Sequence, residues 1–193
     1  MAFYSIGGVT TLLGSFNILL AYIYSSKAVR LKKWPLVDIV SHAMMLGGLL
    51  ILTSFYTFSN NIGPAFSLVM GVFFISSYGQ IYNQIRDFEA DKKAGLKNTT
   101  ILLGKNNSLH LARLFLVAGL LSLITALLLG VVPIWLVVVL PLAMIFAVKT
   151  HTKLDISGRA TIDRSGDIQI PGYLAINIAV FVWFVSAVVL ASN

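Results

Sequence analysis

Asn83, Asp87 and Asp91 stand four residues apart in the stretch from Tyr82 to Gly95, directly after a hydrophobic run. On a helix of about 3.6 residues per turn these positions project from one face; Gln80 joins that face, while Glu89 points away from it. Two carboxylates one turn apart, preceded by an amide, offer the oxygen atoms that a hard divalent cation takes as ligands. Ionisable groups are costly at the edge of a bilayer, so a regularly spaced cluster there is a site hypothesis.

Charge is otherwise scarce in this chain. It is 58% hydrophobic and 11% charged, where a soluble domain has about 25% charged residues. With a mean hydropathy of +0.88 it belongs in a lipid bilayer. Cysteine is absent, which excludes a disulfide framework, a thiolate nucleophile and a Cys-based metal site. In a soluble protein the net charge of +7 would suggest nucleic acid. Here the placement of the charge is explained by membrane orientation, so no nucleic-acid partner is expected.

Apolar runs extend from Phe3 to Tyr24, Leu36 to Phe58, Gly63 to Tyr82, Leu114 to Val148 and Ile168 to Leu190. Each reaches the ~20 helical residues needed to cross a hydrocarbon core. The fourth run has 35 residues. At ~1.5 Å per residue it would extend roughly 52 Å across a core of ~30 Å, so a hairpin turning near Gly130-Val131-Val132-Pro133 is predicted. The expectation is an all-α integral membrane bundle of six transmembrane helices, one domain over residues 1–193. Pro141, in the second arm of that hairpin, is expected to kink its helix, with neighbouring helices supporting the bend.

All 14 Lys and Arg lie in or beside Ser25 to Pro35, Asn83 to Arg113 and Lys149 to Asp167, three loops on one side of such a bundle. The opposite turns, Ser59 to Ile62 and Gly130 to Val132, carry no charge. The positive-inside rule makes the charged side cytoplasmic, in a cell (inner) membrane. This topology places Met1 outside, or reflects a chain from which an odd number of preceding spans is missing; the first run is too long and too uncharged at its start for a cleavable signal peptide. No tandem repeat is present, and the segment from Lys149 to Asp167, with Ser157-Gly158 and Ser165-Gly166, reads as a polar, turn-rich connector.

The order Tyr24-Ser25-Ser26-Lys27-Ala28-Val29-Arg30-Leu31-Lys32-Lys33-Trp34-Pro35, then two spans, then Asn83-Gln84-Ile85-Arg86-Asp87 with Asp91, Gly95, Leu96, Lys97, Thr99 and Leu103-Gly104, resembles the UbiA-type intramembrane prenyltransferases. The resemblance covers essentially the whole chain. It implies the last six helices of a nine-helix bundle. It also implies a magnesium-dependent enzyme that passes a prenyl group from a prenyl diphosphate donor to a lipophilic acceptor within the lipid bilayer. The family's first Asp-rich motif has no counterpart, so an amino-terminal partner or a missing upstream segment is part of the expectation. Related sequences often carry prolines at the positions of Lys27 and Ala28.

Under this resemblance Asp87 and Asp91 are the magnesium ligands, and Asn83 bonds phosphate or a metal-bound water. Arg30, Lys32, Lys92 and Lys97 would neutralise the diphosphate, arginine through a bidentate fork and lysine as a point charge. Cleavage of an allylic carbon–oxygen bond needs no enzyme nucleophile, which suits a chain without a Ser, His and Asp constellation. Phe74, Tyr78 and Tyr82 could shield an allylic cation with their π faces, or serve packing and interfacial anchoring.

Each signal also has a plainer reading. Asp87 and Asp91 could balance Arg86, Lys92 and Lys93 at a solvated helix end, and Arg30, Lys32 and Lys33 could set topology alone. Asp38 and His42, at i and i+4, are expected to form a satisfied intramembrane pair, while Asp163 and Asp167 flank a Ser-Gly turn unsuited to a metal. His110 and His151 are expected at the interface, and Asn17 and Asn177 are expected to join helices. Gly7-Gly8, Gly14, Gly47-Gly48 and Gly71 are expected at close helix contacts, with Gly95 ending the helix that carries the aspartates. Three functions follow: a prenyltransferase; a catalytically incomplete remnant or partner subunit that binds prenyl diphosphate or another membrane protein; and a small transporter or scaffold.

Overall fold

A computed structural model describes residues 7–63, 65–148 and 165–191, and divides into two compact units, Met1–Val131 and Val132–Asn193. Both are helical, and no strand occurs among the described residues. The integral-membrane, all-α expectation is met.

In the first unit, α1 (Gly8–Ser25) leads to a short 3₁₀ turn (Leu31–Lys33). Next come α2 (Val37–Ala43), a π-helical segment (Met44–Gly48) and α3 (Leu49–Tyr56), which run on as one apolar helix over Val37–Tyr56. α4 (Phe66–Arg86), the short α5 (Phe88–Lys93) and α6 (Thr99–Leu128) complete it. Among the described residues three helices are long and apolar enough to cross a membrane: Gly8–Ser25, Val37–Tyr56 and Thr99–Leu128. Their exposed Leu12, Ile18, Leu50, Leu121 and Leu128 suit lipid. α4 packs against α2, the π segment and α6. Burial within the protein lets it carry Ser77, Gln80 and Gln84 inward without facing lipid.

α6 begins fifteen residues before the run predicted from Leu114, because Asn98 caps it: the Asn98 side chain accepts from the Ile101 amide at 2.9 Å. Gly104, at φ 76 and ψ 160, breaks its first turn from the rest, a conformation that favours glycine. α6 stops where the hairpin turn is predicted. There Gly130 takes φ 69, and the amides of Gly130 and Val131 bond the carbonyls of Leu127 and Ala126 at 3.0 Å.

The core of this unit is Ile39, Ile81, Ile85 and Ala112, packed by Tyr78, Leu109, Leu111 and Phe115. α4 and α6 approach closely at two glycines. A Cβ on Gly71 would lie 2.6 Å from Leu123 Cδ2, and one on Gly119 2.9 Å from Ile75 Cδ1. Gly47 is also tight, against the Val72 carbonyl. Gly7 and Gly8 face open space, contrary to the packing expected of them.

In the second unit α7 (Leu136–Val148) packs with α8 (Ser165–Ala191), and Pro141 lies inside α7. Ser165, Gly166 and Asp167 are helical where a turn is predicted, since Ser, Gly and Asp suit a helix's first turn as well as a loop. Asp163, His151 and the remainder of the predicted connector lie outside the described residues. Asn177 donates to the Tyr173 carbonyl of its own helix at 2.7 Å rather than joining two helices. Asn17 Oδ1 is buried without a partner among the described residues, so the inter-helix bond expected of it is not seen there.

Candidate functional site

The predicted strip survives the change from α4 to α5. Asp87 sits at the bend with φ −86 and ψ 6, yet its amide bonds the Asn83 carbonyl and the Asp91 amide bonds the Asp87 carbonyl, both at 2.9 Å. Helical register therefore holds from Asn83 to Asp91. Gly95, at φ 65, ends the helix as expected: its amide reaches the Lys92 carbonyl and that of Leu96 reaches the Asp91 carbonyl.

The two carboxylates differ in setting. Asp87 is 48% exposed and held by Arg86, with Nε–Oδ1 at 2.9 Å and the second guanidinium nitrogen 3.2 Å from Oδ2. Asp91 is partly buried, and its Oδ2 accepts from Asn98 Nδ2 at 2.7 Å. Burial pushes the Asp91 carboxyl above the usual range and the Asp87 charge adds to this, while the Asn98 bond and the Lys32 charge oppose it. The charges of Asp87 and Lys32 thus both bear on Asp91. Glu89 points elsewhere, pairing with Lys105 at 3.0 Å, and that contact holds its carboxyl low.

Asn83 Oδ1 is buried and has no hydrogen-bond partner among the described residues. No three His, Cys, Asp or Glu side chains form a cluster among them. The orphaned amide oxygen and two mutually repelling carboxylates, all oxygen donors, fit a hard cation that takes its other ligands from waters or phosphate.

The basic residues are spread more widely. Arg30, at φ 52 and ψ 60, opens the 3₁₀ turn that carries Lys32; Lys92 lies on α5 and is exposed. Neither Arg30 nor Lys92 forms an ion pair among the described residues. Lys97 lines a cavity of about 720 Å³ with Lys33, Trp34, Pro35, Gly95, Ile101 and Leu102, beside the turn that closes the aspartate helix. The aromatic residues pack with one another and the core: Phe74 stacks on Phe115 with centroids 6.0 Å apart, and Tyr78 and Tyr82 lie 6.4 Å apart, with Tyr78 against the core.

A second polar centre escaped the sequence reading. Asp38 is fully buried, and its partner is not His42. Its Oδ2 accepts from Gln84 Nε2 at 2.7 Å and from the Thr99 amide at 2.8 Å; its Oδ1 accepts from the Ile39 amide at 2.8 Å and from the Thr99 hydroxyl. Gln84 Oε1 takes the Thr100 amide at 3.1 Å, and Thr99 Oγ1 takes the Leu36 amide at 2.7 Å. His42 instead lies with its ring 6.0 Å from the Tyr24 ring, and its Nδ1 is buried without a partner among the described residues. Gln80, predicted on the aspartate face, donates to the Tyr24 hydroxyl at 3.1 Å. The only hint in the sequence was Thr99-Thr100 after Asn98, a helix start whose free amides need acceptors.

Comparison with known proteins matches residues 1–170 to the UbiA prenyltransferase family. No curated protein matches the chain. Among solved structures, a UbiA homolog from Archaeoglobus fulgidus bound to GPP and Mg2+ is similar with a TM-score of 0.64 and 21% identity, over 93% of this chain and 62% of that one. A UbiA homolog from the same organism bound to Cd2+ is similar with a TM-score of 0.64 and 22% identity, over 93% of this chain and 65% of that one. At these identities the likeness shows the fold, and this chain spans less than two thirds of either structure's length. The family match takes in the aspartate strip, the buried centre and only the start of α8. The chain belongs to the UbiA prenyltransferase family.

Proposed function

We propose that this chain transfers a polyprenyl group from a prenyl diphosphate to a lipophilic acceptor at the membrane, with Asp87, Asp91 and Asn83 forming the diphosphate-facing strip. The reading rests above all on one observation: the helical register that holds from Asn83 through Asp87 to Asp91, the Asp87 and Asp91 amides each bonding the carbonyl four residues before at 2.9 Å, sets two carboxylates and an amide one turn apart on one face. Bound there, magnesium would supply positive charge to the phosphate oxygens of the donor. Asp87 and Asp91 would hold it, with Asn83 Oδ1 directed at the metal or one of its waters and Asn83 Nδ2 able to donate to a phosphate oxygen.

Lys32 and Arg30, on the loop after α1, and Lys92 and Lys97, on and after α5, bind the diphosphate. As the allylic carbon–oxygen bond breaks heterolytically, its electron pair leaves with the diphosphate and positive charge stays on the prenyl carbon. Cations fixed where negative charge grows lower that barrier, each such preorganised partner contributing about 3 kcal/mol. The acceptor then supplies an electron pair to the prenyl carbon and loses a proton. The cavity beside Lys97, with Trp34, Ile101 and Leu102 on its walls, supports an amphiphilic occupant at this level. The charged loops face the cytoplasm, as their Lys and Arg content requires.

The test is magnesium-dependent release of diphosphate from a prenyl diphosphate by the purified chain with candidate acceptors. Loss in both Asp87→Asn and Asp91→Asn supports the reading, and activity indifferent to both removes it. A second reading, a catalytically incomplete remnant or partner subunit, is favoured by the lack of a three-residue ligand cluster among the described residues. Magnesium-dependent donor binding without turnover would select it.

A further inference from the structure

Asn98 is 3% exposed and spends both ends of its amide. Oδ1 caps α6 through the Ile101 amide at 2.9 Å, and Nδ2 donates to Asp91 Oδ2 at 2.7 Å. Turning the amide over would lose both bonds, so its direction is fixed. The contact also fixes the rotation of the Asp91 carboxyl, and Oδ1 of Asp91 accepts no hydrogen bond among the described residues.

Helix continuity does not secure this turn, because Gly104 separates its backbone from the rest of α6. Buried side chains do. Thr99, next to Asn98, is gripped at its amide and hydroxyl by Asp38 of α2, and Thr100 is gripped at its amide by Gln84 of α4. A carboxylate with no exposed surface is costly unless donors surround it. Four donors do so here, two of them from Thr99 at the helix start, where anionic charge is favoured.

We propose that Asn98 is a positioning residue for Asp91, and that Asp38 anchors the turn from which Asn98 reaches it. The inference rests on the reading of Asp91 as a cation ligand. It extends that reading to two residues outside the strip, on the principle that the partners of a ligating carboxylate set its aim.

The experiment uses the full chain in detergent micelles or nanodiscs and follows Mn2+ binding by the loss of its free-ion electron paramagnetic resonance signal, alongside thermal unfolding. Asn98→Ser is the decisive variant, since serine also caps helices but cannot donate to Asp91 from an amide nitrogen. It is expected to weaken Mn2+ binding about 10- to 100-fold with little change in unfolding temperature. Asp38→Asn, which keeps shape and removes charge, is expected to weaken Mn2+ binding and lower the unfolding temperature together. Should it fail to fold, Asn98→Ser still decides. Wild-type affinity in Asn98→Ser, with binding lost in Asp91→Asn, overturns the inference while leaving the cation site standing. Wild-type affinity in Asp87→Asn and Asp91→Asn removes the cation reading and this inference with it.

Discussion

Gln84 Nε2 lies 2.7 Å from Asp38 Oδ2, a buried bond between α4 and α2 made across 46 residues of sequence. The other end of the same amide takes the Thr100 amide, so one side chain ties three helices. Gln84→Ala leaves a buried carboxylate one donor short and a backbone amide without its acceptor. Leaving such groups unsatisfied costs about 1–3 kcal/mol each, more where charge is involved, so a loss of about 3 kcal/mol is expected. Denaturant titration of the purified chain in mild detergent measures it. A loss below about 1 kcal/mol would show that the centre does not bind the helices together.

Substitution of the strip should separate stability from function. Asp87 is half exposed, and its pairing with Arg86 is a surface ion pair, worth at most about 1 kcal/mol. Asp87→Asn is therefore expected to leave the unfolding temperature nearly unchanged while cutting prenyl transfer about a hundredfold or more. Arg86→Gln removes the same ion pair without touching a proposed ligand, and should keep most of the activity. Steady-state diphosphate release compares the two. Equal losses in both variants would assign the effect to the ion pair and not to the carboxylate.

The strip was legible because its spacing is local: i, i+4 and i+8 survive any placement of the helix, and Gly95 announces its end. The turn at Gly130 was legible from length against bilayer thickness. The Asp38 centre was not, because its partners lie 46 and 61 residues away, and the nearest polar candidate by spacing, His42, proved the wrong one. The start of α6 was missed for a related reason. Hydropathy marks where a helix becomes apolar, whereas its cap is set by Asn98 and the turn is secured by buried side chains from α2 and α4.

Gly71 and Gly119 allow α4 and α6 to meet. A Cβ at Gly71 would lie 3.2 Å from the Leu123 backbone nitrogen, and one at Gly119 3.2 Å from that of Ile75, so neither contact is relieved by turning a side chain alone. Gly71→Ala and Gly119→Ala are each expected to cost about 1–3 kcal/mol by overpacking. Gly79, on the same α4, meets nothing within 4 Å. Gly79→Ala should be neutral or add up to about 1 kcal/mol through helix propensity. Thermal unfolding of the three variants checks the contrast, and a similar loss in all three would deny the close approach.

Asp91 and Glu89, two residues apart, should respond to pH in opposite senses. The folded chain holds the Asp91 carboxyl above its ordinary range, chiefly through burial, so folding favours its protonated form. That contribution is full below the unfolded-state value and fades as pH rises through the raised one. At neutral pH the ionised Asp91 is thus a small burden on the cation-free fold, and Asp91→Asn should raise the unfolding temperature slightly there, with the difference closing in acid. Glu89 is held low by Lys105, so its contribution is present above the unfolded-state value and is lost as pH falls through the depressed one. Glu89→Gln should show the reverse trend. A divalent cation competes with the proton on Asp91, so Mn2+ binding should weaken on acidification beginning above the usual aspartate range. Unfolding curves of both variants across the acid range, with Mn2+ titrations of the wild type over the same range, test the assignment. A parallel pH response of Asp91→Asn and Glu89→Gln would refute it.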